Sequence, residues 1–167
     1  MNAPDPPAVR VQRVIAAPPE RVYDEWLDAE ALCDWMCPRP ARATRVELDP
    51  RVGGRLRIDI EDSGDRLYVT GRYLELDRPR VLAFTWWCSE WADERDTVVT
   101  VTFQPEPGGR TLMTIHHARL RDEVRPDHEK GWVLIAEQLE ASIQTRPARR
   151  APVLRDRPAG EQEAGSG

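Results

Sequence analysis

The feature that most limits the possible folds of this chain is a run of strand patterns between residues 43 and 120. Short segments of alternating apolar and polar residues, separated by turn sequences such as EDSGD and PEPGGR, predict about six consecutive antiparallel strands. No helical pattern interrupts them. A curved antiparallel sheet of this kind can bury one face only against the helix that follows it.

That helix is predicted over residues 126–143, with Asp127 as its N-cap. Its apolar positions recur with helical spacing on one face: Trp132, Ile135, Ala136, Leu139 and Ile143. Gly131 lies inside the helix, where glycine costs about 1 kcal/mol relative to alanine. We expect that cost to be offset either by close packing against a strand or by room for a ligand beside Trp132.

The segment before the strand run completes the architecture. Residues 9–17 alternate as a strand, Pro18 and Pro19 begin a short helix, and a second short helix is predicted over residues 29–36. The order of one strand, two short helices, six strands and a long helix predicts an α+β fold. In it, a curved antiparallel sheet of about seven strands wraps around the C-terminal helix.

Length and charge limit the classes of partner. The 167 residues suit one domain, predicted over residues 9–145, with residues 1–8 and 146–167 as disordered ends rich in proline or charge. A net charge of −5 without a basic stripe argues against a nucleic-acid partner. Since no apolar run approaches a membrane span and the first residues do not form a leader, we expect a cytoplasmic protein without stable membrane association.

The three cysteines do not predict a disulfide framework. Cys33 and Cys37 have helical spacing and could form half of a zinc site, but no second close pair of ligands follows them. We therefore interpret them as small hydrophobic residues and predict no metal. The glycine pairs precede strands, so no phosphate loop or cofactor site is predicted either.

Several motifs occur in a characteristic order along the chain. They are Pro18-Pro19-Glu20-Arg21-Val22, Gly53-Gly54, GRYLELDRPRVLAFTW, TVVTVTF, GGRTLMTIHH and Gly131-Trp132. In this order they resemble the START-like, Bet v 1-like helix-grip (SRPBCC) superfamily, over about residues 9–145. Within it, the chain is most similar to the group named after the C-terminal domain of the activator of the heat-shock-protein-90 ATPase.

The resemblance implies a deep hydrophobic cavity between the sheet and the C-terminal helix. In LAFTWW, alternation places Leu82, Phe84 and Trp86 toward that helix, and Trp87 toward solvent or a dimer partner. Whether the inward rings fill the core or line a cavity is left open by the pattern. The ligand-binding residues that we predict are Trp35, Phe84, Trp86, Trp91, His116, Trp132 and Ile135.

Few residues are candidates for catalysis. His116 and His117 are adjacent, so in a strand they point to opposite faces and cannot bind one metal together. His116 and Glu75 match positions where the resemblance implies histidine and an acidic residue. His116 is expected to face inward, where it could bond a ligand, act as a general base or make a structural hydrogen bond. A salt bridge explains Glu75 equally well.

The sequence and the family resemblance together suggest three alternative functions. The first is a carrier or sequestering protein, monomeric or homodimeric, that binds an apolar or aromatic small molecule. The second is an enzyme of the cyclase or dehydratase type, in which His116 or Glu75 transfers protons on a polyketide-like metabolite. The third is a cochaperone that stimulates a heat-shock ATPase, which we favour least because the resemblance covers only the C-terminal module of the eukaryotic activator.

Overall fold

A computed structural model describes residues 7–146. Residues 1–6 and 147–167, most of the two ends predicted to be disordered, lie outside the described residues. The elements follow in the order β1 (Val9–Ile15), α1 (Pro19–Glu25), α2 (Ala29–Trp35), β2 (Arg42–Leu48), β3 (Arg55–Asp62), β4 (Asp65–Asp77), β5 (Val81–Cys88), β6 (Thr97–Glu106), β7 (Arg110–Ala118) and α3 (Arg125–Thr145). The predicted α+β helix-grip fold is confirmed.

All seven strands form one antiparallel sheet in the order β1-β7-β6-β5-β4-β3-β2. Six strands follow each other as hairpins, while β1 crosses to the far edge and pairs with β7 from Val9 opposite His117 to Ile15 opposite Thr111. The first and last strands of the chain are therefore neighbours. β7 ends at Ala118, and residues 119–124 connect it to α3.

The long helix packs on the concave face of this sheet. All five residues of its predicted apolar face are buried. The helix begins at Arg125 with Val124 as N-cap, so the prediction of Asp127 as N-cap is wrong. Asp127 instead lies in the first turn, where its negative charge is still favourable near the helix N-terminus. No helix among the described residues is long and apolar enough to span a membrane.

Strand alternation holds along β5. Leu82, Phe84 and Trp86 are 0%, 2% and 7% exposed, which confirms the predicted inward face. Trp87 lies on the outer face and is half-buried there, because its indole N–H donates to the carbonyl of Asp93 over 2.8 Å and its ring lies beside Tyr68. The outward tryptophan thus fastens the β5–β6 loop to the sheet.

Gly131 does not occupy a crowded position. A Cβ built there would lie 3.7 Å from Cγ of Pro38, which is ordinary van der Waals contact. Close packing against a strand, one of the two expected explanations, is therefore wrong. The neighbour is the segment between α2 and β2.

Charged side chains join the end of α3 to the two short helices. The guanidinium of Arg146 lies 3.0 Å from both carboxylate oxygens of Glu25, and Asp34 lies 3.3 Å away. Glu25 is buried and also accepts a hydrogen bond from the indole N–H of Trp35. Arg146, the first residue of the end predicted to be disordered, therefore contacts the short helices α1 and α2.

Candidate functional site

The predicted ligand-binding residues separate into an interior group and a peripheral group. The interior group is fully or nearly fully buried: Trp35, Phe84, Trp86, Trp132 and Ile135. Trp91 is half-buried in the loop after β5, and His116 is exposed on the outer face of β7. The sequence-based set therefore does not surround one common space.

The interior rings pack against each other where the resemblance implied a deep cavity. The ring centroids of Trp86 and Trp132 are 5.5 Å apart, and those of Phe84 and Trp86 are 6.2 Å apart. Trp26 continues the cluster, 4.9 Å from Trp35 and 6.2 Å from Trp132. Such tilted and edge-to-face pairs are the favoured packing of aromatic side chains. These residues form an aromatic core between sheet and helices.

His117, the neighbour of the predicted site residue, faces this core. The indole N–H of Trp132 donates to Nδ1 of His117 over 3.0 Å, so Nδ1 carries no proton. Nε2 therefore carries the proton and donates to the hydroxyl of Thr97 over 2.7 Å, and that hydroxyl donates to the carbonyl of Trp86. Every polar atom of the chain Trp132–His117–Thr97 has a partner.

The environment of His117 keeps its ring neutral. Burial, reinforced by the neighbouring His128 and His116, lowers the pKa of His117 to about 3. The pKa of His128 is also lowered by burial, although its hydrogen bond to the carbonyl of Val124 opposes this. At neutral pH both rings are uncharged, and His117 is too weak a base to take a proton from a substrate.

The two residues proposed for acid–base chemistry lie elsewhere. His116 faces outward opposite Arg10 of β1 and is exposed, so the prediction that it faces the helix is wrong. The physical reason is alternation, since Met113, Ile115 and His117 form the buried series of β7. Glu75 is also exposed, next to the bulge at Leu74 that shifts the register of β4 against β5. Neither side chain reaches the aromatic core.

A groove opens at the end of the sheet where the β5–β6 loop meets the segment between β7 and α3. Its volume is about 260 Å³. Its apolar wall is formed by Trp91, Ala92, Leu120 and Val124, and Thr97 contributes to the lining. We call this space the mouth groove. Of the predicted ligand-binding residues, only Trp91 lines it.

The mouth groove is connected to the core through histidines. The ring of Trp91 lies 5.8 Å from that of His128, which lies 5.4 Å edge to face from His117. Thr97, which lines the groove, bonds His117 directly. A molecule that contacts Trp91 or Thr97 would therefore lie one side chain away from the Trp132–His117 pair.

Sequence reasoning missed Thr97, His117, His128, Leu120 and Val124. A signal for His117 was available in the alternation of β7. The series that contains His117 also holds Met113 and Ile115, and it is more apolar than the series Leu112, Thr114 and His116. Leu120 and Val124 lie in the segment between β7 and α3, Thr97 is the first residue of β6, and His128 lies in the first turn of α3. Loop conformation does not follow from periodicity, so no pattern placed them at one opening.

Within the part of the chain that the structure describes, the cysteines do not belong to a cluster of metal ligands. Burial raises the pKa of Cys37 to about 12, which keeps the metal-binding thiolate form scarce. Burial also raises the pKa of Cys33. Within residues 7–146, no cluster of three or more His, Cys, Asp or Glu side chains could hold a metal ion.

Comparison with known families assigns the scaffold. Residues 16–144 match the model of the family described as Activator of Hsp90 ATPase homolog 1-like protein. The chain belongs to this family. No curated protein matches it.

Solved structures of similar proteins agree with the fold. Protein CV1439 from Chromobacterium violaceum is 32% identical, with a TM-score of 0.76 over 83% of this chain and 98% of its own. The protein SPO3351 from Silicibacter pomeroyi is 25% identical, with a TM-score of 0.71 over 83% of this chain and 98% of its own. PFC0360w, an HSP90 activator from Plasmodium falciparum, is 20% identical, with a TM-score of 0.68 over 82% of this chain and 96% of its own; this likeness is one of fold.

Proposed function

We propose that this protein binds a small molecule with an apolar or aromatic body in the mouth groove, as a carrier or sequestering protein. The observation that carries the proposal is the juxtaposition of Trp91, Leu120 and Val124 around one opening next to the aromatic core. Indole and aliphatic surface in a concave site is the common lining of small-molecule pockets. The modest volume of about 260 Å³ suits a compact ligand better than a long acyl chain.

The polar groups near the groove support binding without turnover. The Thr97 hydroxyl already donates to the carbonyl of Trp86 and accepts from His117. His117 is neutral and a weak base because burial lowers its pKa to about 3. A general base needs a pKa near the working pH, so this ring is unsuited to proton abstraction. The enzyme alternative also loses its two candidates, because His116 and Glu75 are exposed outside the groove.

Equilibrium binding of the fluorescent probe N-phenyl-1-naphthylamine tests the proposal. Its fluorescence rises when its rings leave water. We expect saturable binding by the wild-type chain and a loss of about tenfold or more in affinity for Trp91→Ala, since a central aromatic contact is worth about 1.4 kcal/mol or more. Val133→Ala, on the exposed face of α3, is the control and should bind as the wild type does.

The outcomes separate clearly. Absence of saturable binding to the folded wild-type chain would overturn the proposal. Equal affinities of the wild-type chain and Trp91→Ala would show that the probe binds elsewhere, which also contradicts it. Circular dichroism and the thermal midpoint confirm that each variant is folded under the binding conditions.

Stimulation of a chaperone ATPase, the least favoured alternative, stays a prediction. It needs a protein surface rather than a groove. An ATPase assay with the cognate chaperone would decide it, because clear stimulation that survives Trp91→Ala would assign the activity to another surface.

A further inference from the structure

Two arginines form a wall that the mouth groove shares with a second groove. Arg95, Arg119 and Leu120 line both spaces. The second groove has a volume of about 410 Å³ and is also lined by Pro7, Asp122 and Arg125. A molecule that lies in the mouth groove can therefore extend a group past Leu120 to these guanidinium groups.

The guanidinium groups of this region differ in their partners. Arg121 pairs with Asp93, and Arg125 pairs with Asp122. By contrast, the guanidinium groups of Arg95 and Arg119 make no ion pair or hydrogen bond with any residue between 7 and 146, although the backbone N–H of Arg95 donates to the carboxylate of Asp93 over 3.3 Å. Each offers five donors to an incoming oxyanion.

Charge is unevenly distributed along the two grooves. Three acidic residues line the mouth groove but not the second groove: Glu90, Asp93, which pairs with Arg121, and Glu123. The second groove is lined by three arginines and one aspartate. The shared wall is therefore a locally positive position in a chain whose net charge is −5. An anion is attracted to the two guanidinium groups and repelled by the carboxylates of Glu90 and Glu123, which favours an orientation of the bound molecule with its acidic group at the shared wall.

The backbone of Arg119 is also unusual. Its φ of 69° lies in the left-handed region, which residues other than glycine rarely adopt. Glycine would adopt this conformation without strain. Strained backbone of this kind occurs preferentially at binding sites, where the position of one side chain outweighs the cost.

We propose that Arg95 and Arg119 form a subsite for the oxyanion of an amphipathic ligand. The apolar body of that ligand lies against Trp91, Leu120 and Val124, and its acidic group, a carboxylate in a metabolite, accepts hydrogen bonds from the two guanidinium groups. The inference rests on the proposed function and narrows its ligand class from apolar molecules to compact apolar acids.

Two probes with the same rings separate this subsite from the groove. 8-Anilinonaphthalene-1-sulfonate carries a sulfonate on the ring system of N-phenyl-1-naphthylamine, which is neutral. Both are titrated into the full chain and into Arg95→Gln/Arg119→Gln. We expect the double variant to lose about tenfold or more in affinity for the sulfonate, since charge-assisted hydrogen bonds are the strong ones. Its affinity for the neutral probe should stay within about twofold of wild type.

The matched control removes two positive charges elsewhere. Arg55 and Arg110 are exposed and line neither groove. Arg55→Gln/Arg110→Gln therefore reports the effect of net charge alone and should bind both probes as the wild type does. Added salt should weaken sulfonate binding to the wild-type chain more than to Arg95→Gln/Arg119→Gln.

Arg119→Gly separates binding from folding. Glycine relieves the left-handed backbone, so we expect an unchanged or raised thermal midpoint together with weaker sulfonate binding. A lowered midpoint with unchanged sulfonate affinity would make Arg119 a structural residue and overturn the subsite.

The subsite is also overturned if both probes lose affinity equally in Arg95→Gln/Arg119→Gln, or if the sulfonate binds that variant as tightly as the wild type. If neither probe binds the wild-type chain, the proposed function fails and the subsite fails with it.

Discussion

The indole N–H of Trp132 on α3 donates to Nδ1 of His117 on β7 over 3.0 Å. This bond fixes the tautomer of a fully buried histidine and joins the long helix to the sheet. Because a protonated His117 would carry N–H groups on both ring nitrogens, protonation would destroy the bond and leave two donors facing each other. This hydrogen bond between helix and sheet therefore requires a neutral ring.

That dependence predicts a pH effect on stability. His117 has a folded-state pKa of about 3, below its value of 6.5 in an unfolded chain, so the unfolded state binds more protons between these limits. The free energy of unfolding should be highest above pH 6.5 and should fall as the pH drops toward 3, by at most about 1.4 kcal/mol per pH unit from this group. His128, whose pKa is also lowered, acts in the same direction.

Urea unfolding at several pH values measures this slope. His117→Gln cannot titrate, so its slope between pH 6.5 and 4.5 should be smaller by up to one proton. The comparison with the wild type removes the contribution of the carboxyl groups, which both chains share. Identical slopes would mean that His117 is protonated in the folded protein, contrary to the hydrogen bonds described.

Gly131→Ala should stabilise the protein. The added methyl group meets Pro38 at an ordinary 3.7 Å, and alanine in a helix interior is favoured over glycine by about 1 kcal/mol. Thermal unfolding should show a higher midpoint. A lower midpoint would mean that the helix and the α2–β2 segment approach more closely than the structure indicates. Gly71→Ala, whose Cβ would lie 1.9 Å from the carbonyl oxygen of Thr85, is the opposite case and should be strongly destabilising.

Tyr73→Phe should leave stability unchanged or raise it by up to about 1 kcal/mol. The side chain is buried, and its hydroxyl has no hydrogen-bond partner within the described part of the chain. Thr111→Val is the matched control, because it removes a buried hydroxyl that donates to the carbonyl of Ala17 over 2.7 Å. That variant should lose about 1 kcal/mol. Equal losses in the two variants would show that the Tyr73 hydroxyl has a partner.

Arg146→Met should destabilise the fold by about 2 kcal/mol, because it leaves the buried carboxylate of Glu25 without its cation. Glu25→Gln/Arg146→Met should recover part of this loss, since no buried charge then remains unpaired. A double-mutant cycle by urea unfolding gives the coupling between the two side chains. A coupling indistinguishable from zero would make the ion pair a surface contact without energetic effect.

The architecture could be predicted because periodicity reports burial. Alternation identified Leu82, Phe84 and Trp86 as the inner face of β5, and helical spacing identified all five buried residues of α3. These elements are long enough for the period to repeat several times. The same rule, applied to β7, places His117 on the inner face with Met113 and Ile115, whereas the match of His116 to a family histidine points to the wrong face.

The candidate site could be predicted only in part. Aromatic residues on facing elements can either surround a space or fill it, and the choice depends on distances of about 1 Å that composition does not encode. Here Trp86 and Trp132 pack on each other. The open volume lies instead between two loops, where Trp91 is the one predicted ligand-binding residue. Arg95 and Arg119 are remote in sequence, and only the β6–β7 hairpin brings them to one wall.

Binding in the mouth groove is tested most sharply by locating a bound apolar molecule relative to the six tryptophans. In ¹⁵N-labelled protein, each indole N–H gives its own NMR signal, and N-phenyl-1-naphthylamine is added stepwise. We expect the Trp91 signal to shift most, the signals of Trp86 and Trp132 to shift less, and the Trp35 signal to stay in place. Largest shifts at Trp86 and Trp132 with an unchanged Trp91 signal would place the ligand inside the aromatic core and contradict the account.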